Sequence, residues 1–185
     1  MSLDPASVEG LGPVRIVGTG LLGTSIGLAL RELGVTVLLS DPSPTALGLA
    51  EAVGAGRADP GDEPVALVIV GAPPDVTAAV VAAELDRHPE ATVTDVASVK
   101  GGIWTAVRDS GADLSRYVGG HPMAGRERSG PAASRADLFG GRPGVVCPGE
   151  TGDPARVATV RRLAVALGAT PVVMAATEHD EAVAL

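Results

Sequence analysis

The string Gly18-Thr19-Gly20-Leu21-Leu22-Gly23 constrains this chain more than any other stretch. It spells G-x-G-x-x-G between a short apolar run, Val14 to Val17, and a segment from Leu21 to Leu33 with helical periodicity. Leu22, Ile26, Ala29, Leu30 and Leu33 fall on one helix face, and Gly34 supplies the stop. In a strand–turn–helix setting each glycine has its own task. Gly18 permits the tight turn, Gly20 admits a diphosphate against the backbone, and Gly23 lets helix and strand pack closely. Thr19, Leu21 and Leu22 complete a dinucleotide cradle in which free amides at the helix start face the phosphates.

Asp41 fits the same reading. It lies eighteen residues beyond Gly23, at the end of a second apolar run, Val35 to Leu39. A carboxylate there can accept both ribose hydroxyls of NAD, whereas a 2′-phosphate would meet a like charge. Pro42, Ser43 and Pro44 follow with no cation, so NAD is expected over NADP. The plainer role for Asp41-Pro42 is to start a turn.

The remaining pattern alternates buried strands with helices. Helices are expected over Thr45–Val53, from Pro73-Pro74 to Arg87, over Val99–Val107 and over Arg156–Leu167. Strands are expected at Val65–Val70, Ala91–Thr94, Tyr117–Gly119, Gly144–Cys147 and Pro171–Met174, with a loop over Gly56–Pro64. Continuous apolar strands between amphipathic helices imply an α/β, doubly wound, mainly parallel sheet of Rossmann type. The expected organisation is a tail over residues 1–13, a dinucleotide-binding domain over 14–176, and the start of a linker helix over 177–185. Thr177 to Asp180 resembles a capping box for that helix. The 24 residues from His121 to Gly144 read as a long loop of the kind that carries function.

Composition narrows the function classes. A net charge of −8 and 2% aromatic residues argue against a phosphate-backbone or base-stacking surface, so no nucleic acid is expected. No apolar run approaches the ~20 residues that span a bilayer, so no membrane partner is expected. Three histidines and a single cysteine, Cys147, are too scattered for a zinc site, and no metal is expected. Without a disulfide pair or a signal-peptide pattern in Met1 to Pro13, a cytoplasmic protein is the default. Lys100 is the only lysine among 14 basic residues, a bias that suggests a local chemical need.

Two further segments should meet the nicotinamide at the strand ends. One is Thr94-Asp95-Val96-Ala97-Ser98-Val99-Lys100, and the other is Gly119-Gly120-His121-Pro122-Met123-Ala124-Gly125. Gly71, Ala72 and Pro73 follow the third strand at the same edge and either flank the nicotinamide ribose or form a tight connection. Asp95 either joins them on the cofactor or only ends its strand. His121 has two readings, a turn residue before Pro122 or a proton acceptor near neutral pH. Ser98 is a candidate helix cap. Lys100 orients the site, meets a carboxylate, or is solvated.

With the glycine fingerprint, these segments resemble the prephenate and arogenate dehydrogenases, which read close to D-x-x-S-x-K and G-H-P-M/I-A-G in this order. The resemblance extends through Glu127, Ser129-Gly130 and His179-Asp180. It implies the N-terminal domain of a 6-phosphogluconate dehydrogenase-like enzyme that performs NAD-dependent oxidative decarboxylation of prephenate or arogenate, a step of tyrosine biosynthesis. By that resemblance His121 contacts the substrate hydroxyl, Ser98 assists, and Ser98, Lys100, Arg126 and Glu127 are candidates for binding the small-molecule substrate. Arg126 departs from the small hydroxyl residue usual there, and offers a guanidinium for a substrate carboxylate or for Glu127. The family's C-terminal helical domain is expected to be absent or truncated here. A homodimer is expected only with that domain, and little turnover without it. Two alternatives stand beside this reading: another hydroxyacid or imine dehydrogenase of the same group, and a non-catalytic NAD-binding module.

Overall fold

The computed structural model describes residues 8–124, 130–150 and 152–184. Its strands are β1 (Val14–Val17), β2 (Val37–Ser40), β3 (Arg57–Ala58), β4 (Leu67–Val70), β5 (Thr92–Asp95), β6 (Tyr117–Pro122), β7 (Pro143–Pro148) and β8 (Thr170–Val173). The helices are α1 (Leu21–Glu32), α2 (Pro44–Ala52), α3 (Pro74–Arg87), α4 (Gly101–Asp109), α5 (Pro154–Ala166) and α6 (Ala176–Val183). Among the described residues the strands form one sheet in the order β3-β2-β1-β4-β5-β6-β7-β8. All neighbours run parallel except β6 and β7. The doubly wound, mainly parallel arrangement expected from the strand–helix alternation is present. The order reverses beside β1, so the turn after β1 lies at the switch point where open α/β sheets bind ligands.

Continuous apolar strands are needed because both faces are covered. Val14 and Ile16 of β1, Val37 and Leu39 of β2, and Leu67 and Ile69 of β4 pack with Ile26 and Leu30 of α1 and Leu163 of α5. Leu38, Val68 and Val70 point the other way, to Val81 and Leu85 of α3 and to Ile103 and Val107 of α4. Residues two apart therefore share a core and adjacent residues serve opposite ones, as the strand period requires.

Several local expectations are corrected. The expected loop over 56–64 contains β3, which adds an edge strand beside β2. The expected tail is docked in its described part: Leu11 is fully buried in the main core, and Arg162 Nη1 donates to Glu9 O. Most importantly, His121 and Pro122 do not begin a loop. β7 starts at the rim where β6 ends and returns antiparallel beside it. His121 faces Val145 and Pro122 faces Gly144 in that ladder. The rest of the supposed loop is partly core, because Phe139 is fully buried and Arg135 N donates to Ser25 Oγ of α1.

The single lysine explains itself here. Lys100 is fully buried, and its ammonium pairs with Asp95 at the end of β5. Tyr117 Oη donates to the other oxygen of Asp95 at 2.7 Å, and Ala97 N donates to Oδ1 at 2.9 Å. A Cβ at Gly119 would stand 3.3 Å from Lys100 Cδ, so that glycine gives the lysine stem its space. A compact ammonium on a flexible stem suits this closed site better than the planar fork of arginine. Removing one member of a buried pair strands the other charge, which typically costs about 3–5 kcal/mol. Lys100→Met is therefore expected to lower the unfolding free energy by about 3 kcal/mol or more, and Lys100→Arg also to destabilise. Urea midpoints read both, and a Lys100→Met loss below about 1 kcal/mol would contradict the role given to the pair.

Candidate active site

The site is assembled on the carboxyl rim of the sheet. After β1 the chain turns at Gly18, whose φ of +99° is a conformation that side chains disfavour. A Cβ on Gly18 would lie 2.5 Å from Gly71 O, so the turns after β1 and β4 touch through backbone alone. A Cβ on Gly23 would lie 2.0 Å from Gly18 O, which fixes how closely α1 approaches β1. Gly20 differs from both, with nothing within 4 Å of its Cβ position and an ordinary φ of −73°. No side chain caps the start of α1. Open space over Gly20 and uncapped helix amides together suit an anionic diphosphate.

Asp41 stands beside this cradle. Its Oδ2 accepts from Thr19 N at 2.7 Å and Thr19 Oγ1 at 2.9 Å, and its Oδ1 accepts from Ser43 N at 2.8 Å. The glycine turn and the end of β2 are thereby locked together, and the carboxylate keeps lone pairs for further donors. Leu21 and Leu22 are half-buried at the helix start. Gly71 and Ala72 are half-buried on the neighbouring turn, where the exposed Pro73 directly precedes α3 and its carbonyl accepts from Thr77 N and Oγ1.

Two residues expected at the cofactor or substrate face inward instead. The Asp95 carboxylate is spent on Lys100, Tyr117 and Ala97, at 1% exposure. Lys100 is equally enclosed. Their ion pair lies under the β5–α4 connection and supports it from below. Ser98, by contrast, is exposed on that connection. It does not cap the following helix, because α4 starts at Gly101 and takes its cap from far away: Asp180 accepts from Lys100 N at 2.9 Å and from Gly101 N at 2.8 Å. Arg126 and Glu127 lie outside the described residues.

His121 is half-buried near the end of β6. Its Nδ1 lies 2.8 Å from Nε2 of His179, and Nδ1 of His179 lies 2.8 Å from Asp180 Oδ1. Sequence reasoning placed His179 and Asp180 at a helix start but not in the site. The expected capping box is shifted, since Glu178 caps by accepting from Ala175 N at 3.0 Å. Asp180 is thus free to serve α4 and His179. An adjacent His-Asp pair at a helix start was the only local signal, and it says nothing of a partner 58 residues away.

Burial pushes the His121 pKa down to about 4, helped by His179 and Lys100 and opposed by Asp95 and Asp180. The ring is therefore neutral at pH 7 and available as a proton acceptor. Burial alone would raise the Asp180 carboxyl, but hydrogen bonds from His179, Gly101 N and Lys100 N outweigh it and hold it below its ordinary range. Among the described residues no group of three or more His, Cys, Asp or Glu side chains is placed to hold a metal, and no helix is long and apolar enough to cross a membrane.

Residues 26–173 match the family model of the prephenate dehydrogenase nucleotide-binding domain. The chain is 48% identical over 170 residues to the probable prephenate dehydrogenase NovF of Streptomyces niveus, covering 92% of this chain and 47% of that protein. Two solved structures superpose closely. The prephenate dehydrogenase of Aquifex aeolicus, in complex with hydroxyphenyl propionate and NAD+, gives a TM-score of 0.84 at 28% identity, with 91% of this chain and 62% of that chain covered. Synechocystis arogenate dehydrogenase gives 0.83 at 27% identity, with 92% and 62% covered. The chain spans about half the length of the curated relatives it matches.

The low pKa carries a stability consequence of definite sign. In the unfolded chain His121 titrates near its ordinary 6.5, whereas in the fold it titrates near 4. Between these values the unfolded state holds a proton that the folded state lacks, so stability falls as pH drops from 6.5 toward 4 and is insensitive to His121 above 6.5. His88, also lowered by burial, acts in the same sense. The urea midpoint is expected to fall over this window and to fall less in His121→Gln. Equal acid slopes for the two proteins would contradict the assignment.

Proposed function

The chain belongs to the prephenate dehydrogenase family, as its nucleotide-binding domain, and from that premise we propose that it binds NAD and contributes the proton acceptor for oxidative decarboxylation of prephenate or arogenate. The observation that carries the reading is the shared carboxyl rim. The open diphosphate cradle at Gly18, Gly20 and Gly23, the carboxylate of Asp41 and the neutral imidazole of His121 all stand at strand ends of one parallel system. The cradle holds the dinucleotide diphosphate through helix-start amides, and Asp41 receives the ribose hydroxyls. Thr19, pinned by Asp41, keeps the turn in shape before any ligand arrives.

Bound NAD supplies the hydride acceptor. His121 does the work that falls to the protein. As the hydride leaves the ring carbinol carbon, the hydroxyl proton passes to His121 Nε2 and the oxygen becomes a carbonyl. Loss of the ring carboxylate as carbon dioxide then drives its electron pair into the ring, which aromatises, and His121 returns the proton to the phenolate oxygen. A carboxylate-bearing substrate raises the low pKa of His121 toward neutrality, which matches the base to its task. Exposed Ser98, on the connection held by the Lys100–Asp95 pair, hydrogen-bonds the substrate in this reading. Arg126 and Glu127 are further candidates for substrate contact. The small-molecule ligands are served by this rim, in a cytoplasmic enzyme that forms a homodimer only where a helical domain accompanies this one.

Gly20→Ala separates binding from folding. Its Cβ meets no neighbour, so the melting temperature is expected to stay within about 2 °C while NAD affinity falls about tenfold or more, as one lost strong contact would give. Unchanged affinity by calorimetry would move the diphosphate elsewhere. Asp41→Ala is expected to weaken NAD about tenfold and to narrow the preference over NADP. Tighter NADP binding by the unaltered chain would refute the ribose assignment.

A further inference from the structure

Resting on the reading of His121 as proton acceptor, we propose that Asp180 and His179 are positioning residues that fix the tautomer of His121, so that its Nδ1 carries the proton and its Nε2 is the free acceptor. The argument is one of donors and acceptors. An ionised carboxylate can only accept. Asp180 Oδ1 receives Lys100 N at 2.9 Å and faces His179 Nδ1 at 2.8 Å, while Oδ2 receives Gly101 N at 2.8 Å. His179 Nδ1 must therefore carry a proton. A neutral imidazole has one donor and one acceptor nitrogen, so His179 Nε2 is an acceptor. At 2.8 Å from it, His121 Nδ1 is the donor. The lone pair of His121 then sits on Nε2, which has no partner among the described residues and is not one of the buried unpartnered atoms, His88 Nε2 and Trp104 Nε1.

The surroundings keep this direction. His179 is 1% exposed, so water does not compete for its nitrogens. The two rings meet edge-on, with centroids 5.1 Å apart and planes at 77°, the geometry in which an N–H of one ring addresses the lone pair of the other. The charged groups facing His121 are Asp180 from α6, with His179 beside it, and Lys100 and Asp95 from the β5–α4 connection. The reversed wiring would place a cation on buried His179, or would require a protonated Asp180. The second is opposed by the three hydrogen bonds that lower the Asp180 carboxyl. Asp180 also caps α4 directly after the Ser98 connection, so one carboxylate sets both the base and the loop opposite it.

The tautomer can be read directly in the chain as it stands. With ¹⁵N-labelled histidine there are three imidazoles to assign, His88, His121 and His179. Long-range ¹H–¹⁵N spectra at pH 7 distinguish a protonated, pyrrole-type nitrogen from a bare, pyridine-type one. The expected spectrum shows pyrrole-type Nδ1 and pyridine-type Nε2 for both His121 and His179. In His179→Phe the acceptor is lost, and His121 is expected to redistribute toward the Nε2-protonated form. In His179→Gln the amide oxygen can accept from Nδ1 and its N–H₂ can donate to Asp180, so the Nδ1-protonated form should be restored. A pyridine-type Nδ1 on His121 in the unaltered chain overturns the proposal, as does a His121 spectrum indifferent to His179→Phe. If the phenyl ring prevents folding, the unaltered chain and His179→Gln decide the matter. NAD calorimetry on the same samples tests the dehydrogenase reading separately, because the spectrum reports the tautomer whether or not a dinucleotide binds.

Discussion

At the switch point of this sheet, backbone packs on backbone with no side chain between. The Gly18 turn presses on Gly71 O, and α1 begins close enough to β1 that Gly23 cannot hold a methyl group. The glycine turn takes its position from that contact. It brings the β1 and β4 turns together, leaves Gly20 open, and sets Thr19 where Asp41 can hold both its amide and its hydroxyl. A binding surface made of amides suits an acidic chain with a net charge of −8, since it attracts phosphate without lysines or arginines.

A second constraint operates one layer down. Lys100, Asp95 and Tyr117 tie the end of β5, the start of α4 and the first residue of β6 into one buried polar unit. Burying an ion pair is seldom the most stable choice available, and such pairs are better explained by the specificity they impose. Here the pair joins the two ends of the connection that carries Ser98, with Asp95 before it and Lys100 after it. Gly119 and the lysine stem fit each other so closely that neither position is independent of the other.

The sequence was legible where the information is local. Most strand and helix identities followed from apolar periodicity, and the glycine fingerprint with Asp41 pointed to a turn that the structure forms, because its parts lie within 24 residues. What escaped was set by distant partners. Asp95 read as a rim residue because nothing nearby says that Tyr117 will reach it. Lys100 was noticeable only for being the single lysine. His121 looked like the start of a loop because its ladder partner, Val145, lies beyond a stretch without apolar rhythm. Asp180 read as part of its own helix cap, whereas it caps a helix eighty residues earlier in the chain.

The β8–α6 junction is therefore a poor place for a seam. By sequence it looks like the natural edge between a nucleotide-binding unit and whatever adjoins it, yet the imidazole on β6 is oriented by side chains on the far side of that edge. A chimera that joined this sheet to a foreign helix after Val173 would keep the glycine turn and lose the ring that faces His121 Nδ1. Exchange of modules within such a family should accordingly preserve the histidine–aspartate turn together with the sheet, so that the unit of inheritance is longer than the unit of folding.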